Sequence, residues 1–194
     1  MRVGAAVCDM AAGLYAALGV MTAIIEREKS GEGQWVHSNL VHAGIGLLDF
    51  QAARYTVEGE VPKQVGNDHP TGMPTSAYTT ADGYINLGAA GDGMWARICK
   101  ATGRDDLHKD PRFIDWKGRS DNRAELNAEL NKTFKTKKSA EWIDIITKAG
   151  VPCGPIYTMD QTFADPQVKH LGIADPVMNP RLGEIKLIKQ VATL

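Results

Sequence analysis

The stretch VCDMAAGLYAALGVMTAIIEREKSGEGQWVHSNL, Val7 to Leu40, decides how the rest of the chain is read. Asp9 stands ahead of Met10–Ile25, a run without a formal charge. The run is apolar all round, which predicts a helix buried on most faces. It falls just short of a usual membrane span, and Gly13 and Gly19 among several alanines suit tight packing inside protein. The charges of EREK and the glycine at 31 mark the helix end. QWVH alternates and predicts a short strand, Trp35–Ser38. NLVHAGIGLLDFQAARYTVE then predicts one further helix, with Ser38 or Asn39 as its cap. Asp9 itself has two readings. It can be an N-cap whose oxygen accepts amide hydrogens of the first turn. It can also be a carboxylate kept ionised by the positive helix end and ready to act as a nucleophile.

The whole chain has 194 residues, 43% hydrophobic and 23% charged, an ordinary globular composition. Lysine and arginine number 22 against 23 aspartates and glutamates. That balance offers no electrostatic footprint for nucleic acid or an anionic membrane, and favours small molecules or protein partners. Cys8, Cys99 and Cys153 are scattered and odd in number. They argue against a disulfide framework or zinc site and for a reducing, cytoplasmic compartment. Among five histidines, His37 and His42 span a strand–helix junction and make a poor metal pair, so no metal is expected.

Beyond Glu58 the character changes. Residues 58–76, EGEVPKQVGNDHPTGMPTS, are rich in proline and glycine and read as a linker or long loop. Its GNDHPTGMP portion could let backbone amides approach a ligand, or could simply join two domains. It lacks the Lys-Ser/Thr ending of a P-loop. SAYTTADGYINLGA predicts a hairpin around Asp82-Gly83. Short helices are expected from Asp92 to Gly103, from Ser120 to Phe134, and from Ser139, as cap, to Ala149. A strand is expected at Ile185–Leu187. GAAGDG, Gly88–Gly93, lacks the spacing and the βαβ setting of a dinucleotide fingerprint, and no GxSxG elbow occurs.

The ordered series of motifs resembles the class III CoA-transferases, the formyl-CoA transferase and CaiB/BaiF family, which includes the 2-methylacyl-CoA racemases. The matching residues begin with Asp9, Arg27, Ser30, Gly31, Gly33 and Gln34. GNDHP, DGYINLGA, MWARICKATGRDDLHKDPRF, NRAEL, EWIDIITKAGVPCGPI and DPQVKHLGI follow in order, covering nearly the whole chain. The resemblance implies an α/β fold: part of an open Rossmann-like large domain plus a small α+β domain, a hairpin with three short helices. The domains expected are 1–57, part of the large domain with the nucleophile helix; 58–76, linker; 77–155, small domain; and 156–194, linker and return to the large domain. It implies Asp9 as the catalytic nucleophile, with Leu40, His69 and Gly72 at the substrate and CoA site.

The activity so implied is transfer of CoA from an acyl-CoA to a carboxylic acid through aspartyl anhydride and aspartyl-CoA thioester intermediates. A coenzyme A thioester is then a substrate, and no metal takes part. The alternatives are a 2-methylacyl-CoA racemase or epimerase and a non-catalytic truncated module. The family's racemases carry a Glu near the position where this chain has Gly91 and Asp92, which favours the transferase. HPTGMP occupies the region of a flexible glycine-rich loop in formyl-CoA transferases, with one glycine where those have several. The resemblance also implies a C-terminal fragment lacking an N-terminal CoA-binding part, and therefore a homodimer or a partner chain supplying the missing half.

Overall fold

The computed structural model describes residues 3–192. The chain divides into two compact units, residues 1–66 and 67–194. The division falls inside the proline- and glycine-rich segment.

The first unit begins with α1 (Val7–Ser30). Its end is built by the Arg-x-x-Ser-Gly-x-Gly-Gln motif. Gly31 adopts a left-handed φ of 77° and its N–H donates to Arg27 O at 2.8 Å. Ser30 Oγ accepts from Glu32 N at 3.1 Å, and Gln34 Nε2 donates to Glu26 at 3.4 Å. Residues 31–39 are irregular. The expected strand at Trp35–Ser38 is absent because residues 3–66 contain no other strand to complete a ladder. Asn39 does cap α2 (Leu40–Gly46), its Oδ1 accepting from His42 N at 2.8 Å. The single second helix read from the sequence is two. Low-propensity Gly44 and Gly46 precede a turn in which Asp49 takes φ 49°, and α3 (Phe50–Glu58) starts afresh.

The expected burial of α1 is not found. Only Ala11 on α1 and Ala43 on α2 are buried, while Leu14, Leu18 and Ile25 are 60–66% exposed. A helix that is apolar on every side needs neighbours on every side. Within its unit, only α2 packs closely along it. At 24 residues it is also long and apolar enough to cross a membrane by length and composition alone.

The second unit holds a true core. β1 (Thr75–Thr79), β2 (Tyr84–Gly88) and, later, β3 (Cys153–Pro155) form an antiparallel sheet in the order β1-β2-β3. The hairpin predicted at Asp82-Gly83 forms, with Tyr78 opposite Ile85 and Thr79 opposite Tyr84. Its alternation sends Tyr78, Ile85 and Leu87 into the interior. Five helices, rather than three, follow: α4 (Asp92–Thr102), α5 (Asp105–Lys109), α6 (Trp116–Asp121), α7 (Arg123–Phe134) and α8 (Ser139–Lys148). The extra ones are single turns whose length leaves little periodicity to read.

Leu126, Leu130 and Phe134 come from one face of α7 and are fully buried, as are Ile98 and Ile146. Each such side chain contributes about 1.5–3 kcal/mol by leaving water. Phe134 packs on Tyr78 with centroids 5.3 Å apart and edge-on to Trp142 at 5.4 Å. Ser139 does not cap α8. It is already helical, and its N–H donates instead to Asp82 of the hairpin turn at 2.8 Å, with its hydroxyl 2.7 Å from Thr80 Oγ1. The hairpin thus caps a helix 57 positions away. The chain ends in α9 (Met159–Ala164), α10 (Pro166–His170) and the hairpin β4 (Ala174–Asn179) with β5 (Gly183–Ile188), which contains the strand expected at Ile185–Leu187.

Candidate active site

Asp9 is the third residue of α1, not its cap. The helix starts at Val7, Ala6 precedes it, and no side chain caps that end. Asp9 therefore lies in the first turn, where the orphan amides make the field most favourable to a negative charge. Its side chain is exposed and forms no hydrogen bond or ion pair among the described residues. A carboxylate used only to finish a helix would be bonded to an amide; this one is not. α1 packs against α2 through small residues on the neighbouring face. A Cβ on Gly44 would sit 3.1 Å from Cys8 Sγ, and one on Gly19 would sit 2.8 Å from Val36 in the irregular segment that joins the two helices. Leu40 begins α2 and is 51% exposed, so it is not the core residue its type alone would suggest.

His69 and Gly72 lie in the second unit and are brought together. Gly72 N–H donates to His69 Nδ1 at 2.9 Å, and Thr71 N–H does so at 3.3 Å. These donors make His69 Nδ1 a hydrogen-bond acceptor. A Cβ on Gly72 would meet Ala90 Cβ at 2.9 Å, so the glycine is required for close approach.

The loop carrying both residues is an ordered element rather than a plain linker. Arg123 donates to His69 O at 3.1 Å and Pro70 O at 2.9 Å; Ser120 Oγ donates to Thr71 O at 2.8 Å. Arg119, with a fully buried side chain, donates to Met73 O at 3.0 Å and Phe113 O at 3.1 Å and pairs with Asp92 at 2.6 Å. The Met73–Pro74 peptide is cis. Asn127 links Asp68, at 3.0 Å, to the Tyr78 hydroxyl, which donates to Asn127 Oδ1 at 2.9 Å. Burial, helped by the nearby Asp68 charge, pushes the Tyr78 phenol far above its usual range and keeps it a donor.

Asp92 is thereby committed to Arg119. Burial raises the Cys99 thiol to about 12 and Cys153 to about 11, so neither is a thiolate nucleophile. Among the described residues there is no group of three or more histidines, cysteines or carboxylates able to hold a metal. Sequence reading missed Arg119, Arg123 and Asn127. The signal was present in that GNDHP and NRAEL belong to the same ordered series, and the structure joins them directly.

The whole of residues 1–194 matches the family model described as CoA-transferase family III. The chain belongs to CoA-transferase family III. Among family relatives it is similar to the succinyl-CoA:glutarate CoA-transferase of Homo sapiens, 33% identical over 187 residues, covering 96% of this chain and 43% of that protein. It is 32% identical to the succinyl-CoA--D-citramalate CoA-transferase of Chloroflexus aurantiacus, over 100% of this chain and 48% of the relative. A crystal structure of a CAIB/BAIF family protein from Brucella suis superposes with a TM-score of 0.73 at 31% identity, covering 98% of this chain and 53% of the other. That of Rv3272 from Mycobacterium tuberculosis gives 0.85 at 26% identity, covering 100% and 51%. The chain spans about half the length of the curated relatives it matches.

Proposed function

We propose that this family III chain carries the nucleophile of an acyl-CoA:carboxylate CoA-transferase, and that the nucleophile is Asp9. The observation that carries this reading is a carboxylate in the first turn of α1 that is exposed and bonded to no described group. An Asp9 oxygen attacks the thioester carbonyl of the donor, the C–S bond breaks, and CoA leaves as thiolate from an aspartyl mixed anhydride. The thiolate attacks the aspartyl carbonyl, forming an aspartyl-CoA thioester and releasing the donor acid as carboxylate. The acceptor carboxylate attacks that thioester to give a second anhydride. The returning thiolate takes the acceptor acyl group and restores Asp9. Each step exchanges one carboxylate or thiolate for another, so no net proton, electron or metal is needed. The anhydrides must be kept from water.

In this reading the CoA thioester is a substrate. Leu40 on the first unit and the His69–Gly72 turn on the second are each proposed as binding residues, on the family resemblance. The matched relatives' names favour succinyl-CoA as donor and a short dicarboxylic acid as acceptor. The Rossmann-like large domain, to which residues 156–194 would return, belongs to the whole protein. The exposed apolar faces of α1 support a covering surface contributed by a second copy or by a chain supplying the other half of the family fold. The odd, scattered cysteines support a cytoplasmic setting.

Incubation with succinyl-CoA and hydroxylamine tests the reading. The expected result is an aspartyl hydroxamate located by peptide mass spectrometry at Asp9 and absent from Asp9→Asn. A protein that binds succinyl-CoA and stays unlabelled would remove Asp9 from the reaction.

A further inference from the structure

The second unit contains a cavity of about 420 Å³ lined by none of the residues assigned above. It lies between the short helices α9 and α10 and one face of the β4–β5 hairpin. The register pairs Ala174 with Ile188 and Pro176 with Lys186, so alternation projects Ala174, Lys186 and Ile188 from the same face. α9 adds Phe163, α10 adds Val168 and Lys169, and the connection into β4 adds Ile173. The lining is mainly apolar and contains no acidic side chain.

The charges at this cavity are unbalanced. Lys189, whose Nζ lies near Gly172, is taken by Asp175 at 3.1 Å. Asp165, at the α9–α10 corner, is occupied by the N–H groups of Gln167 and Val168 and by the Tyr157 hydroxyl. The Lys169 and Lys186 side chains form no hydrogen bond or ion pair among the described residues, and Glu184, two positions before Lys186, does not reach it. An apolar cavity bordered by two uncompensated ammonium groups has the chemistry of a site for a molecule apolar at one end and anionic at the other. Its volume falls in the lower part of the range for small-molecule sites, about 300–1,000 Å³.

We infer that this cavity binds a small amphipathic anion, with its hydrocarbon body against Phe163, Val168, Ile173 and Ile188 and its carboxylate or phosphate head between Lys169 and Lys186. None of its lining residues takes part in the chemistry proposed at Asp9, and the inference does not depend on that chemistry.

Isothermal titration calorimetry with sodium octanoate, octyl phosphate and neutral octanamide tests this. The expected result is one saturable site per chain for an anionic probe; octanoate alone or octyl phosphate alone would identify the preferred head. The Lys169→Gln/Lys186→Gln variant should bind about tenfold more weakly, as two exposed ion pairs contribute roughly threefold each. Octanamide should be weakened on wild type by a similar factor. Ala174→Phe, which fills the cavity, should abolish binding without shifting the urea midpoint, and Asp9→Asn should bind as wild type. Absence of saturation with both anions, octanamide binding as tightly as octanoate, or an unchanged double variant would overturn the inference. The octanamide comparison uses wild-type protein and stands even where a variant misfolds.

Discussion

The two units are built from similarly apolar stretches of sequence and have opposite fates. In residues 67–194 the apolar positions of β1, β2, α4, α7 and α8 meet, and Ile85, Leu87, Ile98, Leu126, Leu130 and Phe134 reach zero exposure. In residues 1–66 a 24-residue helix of stronger apolar character buries one alanine. Hydrophobic composition supplies the driving force for burial, but burial also needs surfaces that face one another. The small domain contains its own; α1 does not. Within its unit α1 is left largely exposed.

The largest test of this contrast is Phe134→Ala, which removes the ring between Tyr78 and Trp142. It should destabilise the second unit by about 4 kcal/mol, read from urea unfolding followed by tryptophan fluorescence. A loss comparable to that of a surface substitution would mean the aromatic cluster is not a core. Arg119→Met should cost about 3 kcal/mol on the same measurement. It leaves the carbonyls of Met73 and Phe113 unpaired, while Asp92, 63% exposed, recovers water. The amides of His69, Thr71, Gly72 and Met73 should then exchange hydrogen faster than those of β2.

In the first unit, backbone effects should outlast side-chain effects. Gly31→Ala, at a φ of 77°, should destabilise the end of α1 by about 1 kcal/mol, seen as faster amide exchange near residues 27–31. Leu18→Ala, on a side chain 64% exposed, should change α1 exchange by no more than about 0.5 kcal/mol. A large effect of Leu18→Ala in the isolated chain would show that α1 is already covered in solution, by a second copy.

Acid sharpens the comparison from another side. The Ser139 N–H, with its hydroxyl and that of Thr80, holds Asp82 below the ordinary carboxylate range in the folded state. A lowered folded pKa contributes stability present above the unfolded pKa and lost as pH falls through the folded one. Wild-type protein should therefore lose stability in the second unit as pH falls below about 4. In Asp82→Asn that part of the slope should be absent. A pH profile identical to wild type would show that the turn does not hold α8.

Much of the second unit was legible because its signals are local. The Asp82-Gly83 turn, the fourfold spacing of Leu126, Leu130 and Phe134, and the stop at Gly103 each rest on residues a few positions apart. What escaped was long-range. Ser139 reads as a cap from its neighbours, yet its partners are Asp82 and Thr80. Residues 66–74 read as linker or ligand loop from composition, yet Arg119 and Arg123 of α6 and α7 hold them. The strand expected at Trp35–Ser38 failed for the same reason, because a strand exists only where another chain segment accepts its hydrogen bonds.

The candidate site divides in the same way. The identity of Asp9, its place ahead of an uncharged helix and the ordered motifs of the family are properties of the residues in line, and the sequence alone determined them. Only the tertiary structure decided that Asp9 lies inside the first turn with its oxygens bonded to no described residue, that His69 is locked to Gly72, and that Asp92 serves Arg119. The reason is physical: order along a chain sets propensity and spacing, whereas burial, pairing and availability depend on what the fold brings within a few ångströms.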